Sequence, residues 1–130
     1  MLAYTRVGLS PDLGGTWLMP RIMGLAKASE LIFTGDFIDA SEAERIGLLN
    51  RVVPAADLER ETMELARKIA ANPPIALRLA KIQMHKGLLW DLDTALDVEA
   101  GFAPIVMTSK DLQEGLAAFA EKRKAIFTGE

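Results

Sequence analysis

The residue of this chain best placed for chemistry is Asp12, which stands between Pro11 and a Gly-Gly pair. An apolar stretch predicted as a strand ends here, and an apolar helix is predicted to begin near Thr16. Beside an apolar wall of Leu9, Pro11 and Trp17, a carboxylate can act as an acid or a base. An Asp ahead of a helix is also a common N-cap, whose side chain accepts hydrogen bonds from the first helical amides. Spacing alone favours the cap.

A second group of candidate binding residues lies in the segment FAEKRK at residues 119–124. Phe119 and the basic residues three to five positions later share one side of a helix, where they could stack on a ring and pair with a phosphate. Basic residues also complement the negative end of a helix, and composition alone favours that structural role. His85 is the single histidine and there is no cysteine, so a metal site is not predicted.

Hydrophobic periodicity and turn residues predict a mixed first part and a helical second part, divided at Pro54. In the first part we predict a strand over Leu2–Leu9 and then a helix from near Thr16 to Ile32, with Pro20 in the first turn of that helix. A short helix follows, which begins at a capping box at residues 41–44 and ends at Gly47. The last element of the first part is a predicted strand over Leu48–Val53. In the second part we predict helices over residues 58–69, 75–84 and 92–106, and a last one that is capped within residues 108–111 and ends near residues 119–124.

Composition excludes several classes of protein. The 130 residues suit one modest core, and the net charge of −3 gives no basic field for nucleic acid or an anionic membrane. No apolar run approaches the length of a membrane span, and the lack of cysteine and of a recognisable targeting signal favours the cytoplasm. The helical part is rich in apolar residues for so few helices, so we expect some of its faces to be buried against another subunit.

Two segments resemble the enoyl-CoA hydratase/isomerase (crotonase) superfamily in order and spacing: residues 7–54, which contain SPDLGGTW, and residues 114–129, EGLAAFAEKRKAIFTG. The resemblance implies an α/β fold that is the C-terminal part of a crotonase-like ββα spiral, mostly helical with a few short strands. It assigns residues 1–53 to the end of the spiral core with the active-site corner, and residues 54–130 to a helical oligomerisation region. It also places both oxyanion-hole loops of the family in the half that has no counterpart here.

The same resemblance implies roles for individual residues. Asp12 falls where isomerase-type members carry their acidic proton shuttle, which makes it the predicted catalytic residue. Tyr4 stands where hydratase-type members carry a catalytic glutamate, which favours isomerisation over hydration. Leu9, Pro11 and Trp17 are the predicted apolar wall of the acyl site. Dehalogenase-like members use an Asp at this corner as a nucleophile.

Phe119 and Lys122 match the family's aromatic and lysine that reach the adenine and phosphate of coenzyme A bound to a neighbouring subunit. The implied partners are an acyl-CoA thioester and further copies of the chain in a trimer or hexamer. Coenzyme A is part of the substrate, and no cofactor is implied. The implied reaction is a proton-shift isomerisation of an enoyl-CoA; the alternatives are hydration, or a non-catalytic, partner-dependent half. Without oxyanion donors the isolated chain is predicted to be inactive.

Overall fold

The computed structural model describes residues 4–130, and the regular elements within that range are all helical. The elements are, in order, a 3₁₀-helix Thr5–Val7, α1 Gly15–Met23, α2 Leu25–Thr34, α3 Ala40–Arg45, a 3₁₀-helix Ala55–Asp57, α4 Leu58–Ala70, α5 Pro74–Gly87, α6 Leu92–Met107 and α7 Lys110–Ala120. The predicted helices of the second part are therefore confirmed to within a few residues at their ends.

The chain divides into two compact units, of which the first ends at Leu58 and the second begins at Glu59. The sequence placed its division at Pro54. The functional assignment of each part, a spiral core with the active-site corner and an oligomerisation region, stays a prediction.

The first unit is built around α1 and α2. Met19 on α1 and Ala28, Leu31 and Ile32 on α2 are buried against one another, and three partly buried residues pack around them, namely Met23, Ile38 and Ile46. The two helices meet at Gly24, which has a φ of 81° and a ψ of 155°. Residues with a side chain strongly disfavour this backbone conformation. The single helix predicted from Thr16 to Ile32 is therefore wrong: the chain turns at Gly24, so the apolar sides of two shorter helices can face each other.

Pro20 also lies elsewhere than predicted. It is inside α1, beyond the first turn, where its missing N–H removes a hydrogen bond of the helix. The helix ends soon afterwards, with the Gly24 N–H donating to the Pro20 carbonyl over 3.0 Å.

The strand predicted over Leu2–Leu9 is wrong for residues 4–9, while residues 2 and 3 lie outside the described range. Thr5–Val7 form a 3₁₀-turn that ends at Gly8 in the left-handed conformation. The physical reason is tertiary: the Thr5 hydroxyl donates to the carbonyl of Ile32 over 2.7 Å, and the Arg6 side chain donates to the carbonyl of Thr34 over 3.0 Å. These bonds fasten the turn to the end of α2.

The strand predicted over Leu48–Val53 is also wrong, since these residues form turns and an irregular segment. The Val52 N–H donates to the Glu44 carboxylate over 2.9 Å instead of to a neighbouring strand.

The capping box predicted at residues 41–44 lies two residues later in the chain than the observed N-cap of α3. Asp39 is the N-cap of α3 and accepts the Glu42 N–H over 2.8 Å, while the Ser41 hydroxyl donates to the same carboxylate oxygen. The stop at Gly47 is confirmed by its φ of 79°.

In the second unit α5 packs on α6, and the segment after α7 folds back along that helix. Large apolar side chains stay exposed on both units; on α4 they include Met63, Leu65 and Ile69. None of the described helices is both long and apolar enough to cross a membrane.

Candidate active site

A tight turn places Asp12 in the first unit. The Gly15 N–H donates to the Asp12 carbonyl over 3.0 Å, and the two residues between them, Leu13 and Gly14, both have positive φ, at 50° and 82°. Glycine takes this conformation freely, whereas for Leu13 it is strained. The turn leads directly into α1.

The Asp12 side chain does not cap α1, although spacing favoured that role. The N-cap is Gly14, and no side chain accepts a hydrogen bond at this helix start. The structural interpretation is therefore wrong. Because the strained turn places the N-cap at Gly14, two residues past Asp12, the Asp12 carboxylate is not used by the helix start.

That carboxylate lies at an apolar cavity of about 410 Å³. Apart from Asp12 and Tyr4, the described residues around the cavity are apolar or glycine. They come from the turn, from α1 and α2, and from the segments on either side of α3: Leu13, Gly15, Leu18, Met19, Ile22, Leu31, Ile38 and Leu48. A cavity with this lining suits an apolar group, with one carboxylate at hand for proton transfer.

Tyr4 is the other polar residue among the described residues at the cavity, and its phenol lies close enough to the Asp12 carboxylate to interact with it. This interaction, through hydrogen bonding and the negative charge of Asp12, and partial desolvation raise the pKa of Tyr4 above its ordinary value of about 10. The phenol therefore keeps its proton at neutral pH. Sequence reasoning missed the contact, because eight positions of separation close only through the 3₁₀-turn and the bend that follows it.

The three residues predicted to form the wall beside Asp12 lie around the turn. Leu9 is 60% exposed and Pro11 is half-buried, with its Cβ at 3.7 Å from the point where a Cβ on Gly15 would lie. Trp17 stacks with the guanidinium of Arg21, whose carbon is 3.9 Å from the ring centroid. The described residues that line the cavity are others, so substrate binding by these three stays a prediction.

Phe119 and Lys122 belong to the second unit, at the end of α7. The Phe119 ring is 87% exposed. The Lys122 N–H donates to the Phe119 carbonyl over 3.3 Å, and Lys122 has a φ of 55°, an uncommon value for a residue with a side chain. The structure thus brings the two residues together at the C-terminal end of α7.

Two acidic residues of α7, which sequence reasoning missed, hold the segment beyond this turn. Glu114 accepts both Arg123 Nη1 and Nη2, at 2.6 and 2.8 Å, and the Ile126 N–H at 2.9 Å. These bonds lower the pKa of Glu114 to about 2 and raise that of Arg123. Asp111 is 2% exposed and accepts the main-chain N–H groups of Thr128 and Gly129. An Asp in the first turn of a helix reads as an ordinary helix-start residue, so the sequence carried no signal for this second role.

Within the described part of the chain, no three His, Cys, Asp or Glu side chains lie close enough together to hold a metal ion.

The chain matches the enoyl-CoA hydratase/isomerase family over residues 1–130 and belongs to that family. It is similar to a crotonyl-CoA hydratase of Syntrophomonas wolfei, with 40% identity over 93% of this chain and 46% of the relative. It is also similar to the 1,2-epoxyphenylacetyl-CoA isomerase of Escherichia coli, with 37% identity over 100% of this chain and 50% of the relative. The chain spans about half the length of these relatives.

The crystal structure of an enoyl-CoA hydratase from Bacillus anthracis superposes with a TM-score of 0.94 and 45% identity, covering 97% of this chain and 49% of that one. The fold is thus part of the crotonase-like α/β spiral. The part described here is helical, and the two short strands expected from the sequence are the elements that the structure corrects.

Proposed function

We propose that the whole protein acts on acyl-CoA thioesters and isomerises an enoyl-CoA by a proton shift, with Asp12 as the acid and base. The observation that supports this most directly is the Asp12 carboxylate at an apolar cavity, unused by the helix that begins beside it. The name of the isomerase relative agrees with this kind of reaction.

The proposed reaction uses one carboxylate twice. Asp12 removes a proton from the α carbon of a 3-enoyl thioester; the electrons of that C–H bond form the enolate, with charge spread over the conjugated system. The protonated Asp12 then delivers its proton to the γ carbon, and the double bond comes to lie between the α and β carbons. No water is added and nothing is oxidised or reduced. One base suffices because the delocalised intermediate stays in place between the two transfers.

The enolate requires hydrogen-bond donors at the thioester oxygen, where negative charge develops. The resemblance assigns these donors to two main-chain N–H groups in the half of the family that this chain does not span. Losing one such donor typically lowers the rate about a hundredfold or more. We therefore propose that activity requires both halves, and that these 130 residues are inactive alone.

Coenzyme A is proposed to contact the turn after α7, with the adenine on Phe119 and a phosphate near Lys122. The exposed Phe119 ring and the fastening of the following segment to Glu114 and Asp111 support this assignment. In the same proposal, the coenzyme belongs to a neighbouring subunit of a trimer or hexamer. The large exposed apolar side chains of the second unit are compatible with such an assembly.

Hydration of an enoyl-CoA is the second candidate, and the names of the crotonyl-CoA hydratase and enoyl-CoA hydratase relatives favour it. The resemblance places a catalytic glutamate of hydratases at the position of Tyr4. A phenol that keeps its proton cannot activate water as a carboxylate does. For this reason isomerisation is the proposed reaction.

The deciding assay incubates the whole protein separately with a 3-enoyl-CoA and a 2-enoyl-CoA and identifies the products by chromatography. The proposal predicts interconversion of the two isomers, its loss in Asp12→Asn, and retained acyl-CoA binding by that variant. A 3-hydroxyacyl-CoA as the main product would establish hydration instead. Tight acyl-CoA binding without either reaction would support the non-catalytic alternative.

A further inference from the structure

Tyr4 is held in place by the residues that follow it. The Thr5 hydroxyl and the Arg6 Nε donate to main-chain carbonyls at the end of α2, over 2.7 and 3.0 Å, and Arg6 also pairs with Asp36 at 2.5 Å. The Tyr4 carbonyl accepts the N–H groups of Val7 and Leu9, at 3.1 and 2.8 Å. The main chain at Tyr4 is therefore fastened to α2, the helix that also supplies part of the cavity wall.

The phenol and the carboxylate of Asp12 meet at the same cavity, where the other described lining residues are apolar or glycine. A hydrogen bond to an ionised group is stronger than one between neutral groups, and surroundings of low polarity strengthen it further. Because a phenol whose pKa is raised keeps its proton at neutral pH, Tyr4 offers the Asp12 carboxylate a hydrogen-bond donor.

We infer that Tyr4 is a positioning residue for Asp12, a role that rests on the proposed function: its hydroxyl engages one part of the carboxylate so that the remainder faces the substrate carbon. A carboxylate on an exposed turn has several side-chain rotamers. A donor fixed by another element restricts it to the rotamers that keep the bond. Tyr4 therefore does not act as a base in place of the hydratases' glutamate; it orients Asp12.

This role differs from simple packing, because it depends on one oxygen atom. Tyr4→Phe keeps the ring in the cavity and removes only the hydroxyl. Ser10→Ala is the matched control: it removes a hydroxyl from the same segment, but Ser10 is exposed and is not among the cavity-lining residues. A packing role would leave both variants with full activity.

The kinetic test measures isomerisation by the whole protein and its variants. We expect Tyr4→Phe to lower kcat by about ten- to a hundredfold, the effect of losing a hydrogen bond to a charged group, with KM nearly unchanged. Ser10→Ala should match the unaltered protein. Equal kcat values for Tyr4→Phe and the unaltered protein would overturn the positioning role.

The second test follows the ionisation of Tyr4 by the ultraviolet absorbance of tyrosinate. In these 130 residues Tyr4 is the single tyrosine, and in a longer protein its signal is the difference from Tyr4→Phe. The pKa of Tyr4 should lie above about 10 and should fall towards that value in Asp12→Asn. An unchanged titration in Asp12→Asn would show that the two side chains do not interact, which overturns the inference.

The two tests separate the inference from the proposed function. If Asp12→Asn isomerises at the full rate, the proposed function fails, whatever the tyrosine titration shows. If Asp12→Asn is inactive while Tyr4→Phe is fully active, the proposed function stands and the positioning role fails.

Discussion

Replacing Asp111 by alanine should release the segment that follows α7. The Asp111 carboxylate is 2% exposed, and its two oxygens accept the N–H groups of Thr128 and Gly129 over 2.7 and 2.9 Å. Both acceptors disappear in Asp111→Ala, while Lys110 and Glu130 still pair nearby. The loss should therefore be local, confined to the end of the described chain.

The size of the effect follows from these two bonds. A hydrogen bond to a charged group contributes about 1.5–3 kcal/mol, so two could contribute up to about 6 kcal/mol if nothing replaced them. Thr128 is exposed, so water can take over part of the lost bonding. We expect the free energy of opening at Thr128 and Gly129 to fall by about 2–4 kcal/mol.

Amide hydrogen exchange measures this opening residue by residue. The expected loss corresponds to roughly 30- to 700-fold faster exchange at Thr128 and Gly129. Asp93→Ala is the matched control, because Asp93 occupies the same position in the first turn of α6 and is exposed. It should change helix stability by about 0.3–1 kcal/mol, without faster exchange at either amide. Equal exchange in the two variants would refute the role given to Asp111.

Four further substitutions test other parts of the structure. Gly24→Ala should lower the free energy of unfolding by about 1–3 kcal/mol, because a side chain at position 24 would strain the backbone. Gly101 lies inside α6 with open space around it, so Gly101→Ala should raise the free energy of unfolding by about 0.5–1 kcal/mol. The midpoints of denaturant unfolding curves measure both changes. Bonding to Arg123 lowers the pKa of Glu114 from its ordinary 4.5 to about 2. The difference in stability between the unaltered protein and Glu114→Gln should therefore be constant above about pH 4.5 and should disappear as the pH falls to about 2. Thermal melts at a series of pH values measure this difference. Lys122→Ala should weaken coenzyme A binding about two- to fivefold with no change in acyl preference, as measured by calorimetry.

The elements that were predictable from the sequence are those whose signals are local. The apolar faces of α4 to α7 repeat at helical spacing, and Pro73 and Pro74 mark the break between α4 and α5. Gly47 was predictable as a helix stop for the same reason. These features depend on neighbours a few positions apart.

The elements that were not predictable depend on distant partners. Residues 4–9 have the composition of a strand, yet they form a 3₁₀-turn because Thr5 and Arg6 bond to the end of α2, more than twenty positions away. Residues 48–53 likewise carry β-forming side chains, but the Glu44 carboxylate takes the N–H group of Val52. None of these three bonds leaves a pattern in the sequence.

The candidate site also has features that were predictable from the sequence and features that were not. Asp12 was identifiable from its place between Pro11 and the glycines, with the resemblance to the family deciding between catalyst and cap. The apolar cavity beside it was not, because its walls come from α1, α2 and both sides of α3. The contact between Tyr4 and Asp12 was also not predictable, since it depends on a turn where the sequence predicted a strand.

The transfer of an isotope label from the α to the γ carbon shows whether one carboxylate moves the proton. A 3-enoyl-CoA carrying deuterium at its α carbon is converted by the whole protein in ordinary water, and the 2-enoyl-CoA product is examined by NMR. If Asp12 carries the proton, part of the deuterium appears at the γ carbon, and this transfer is lost in Asp12→Asn. The same transfer in Asp12→Asn, or a product that has gained water, would contradict the account.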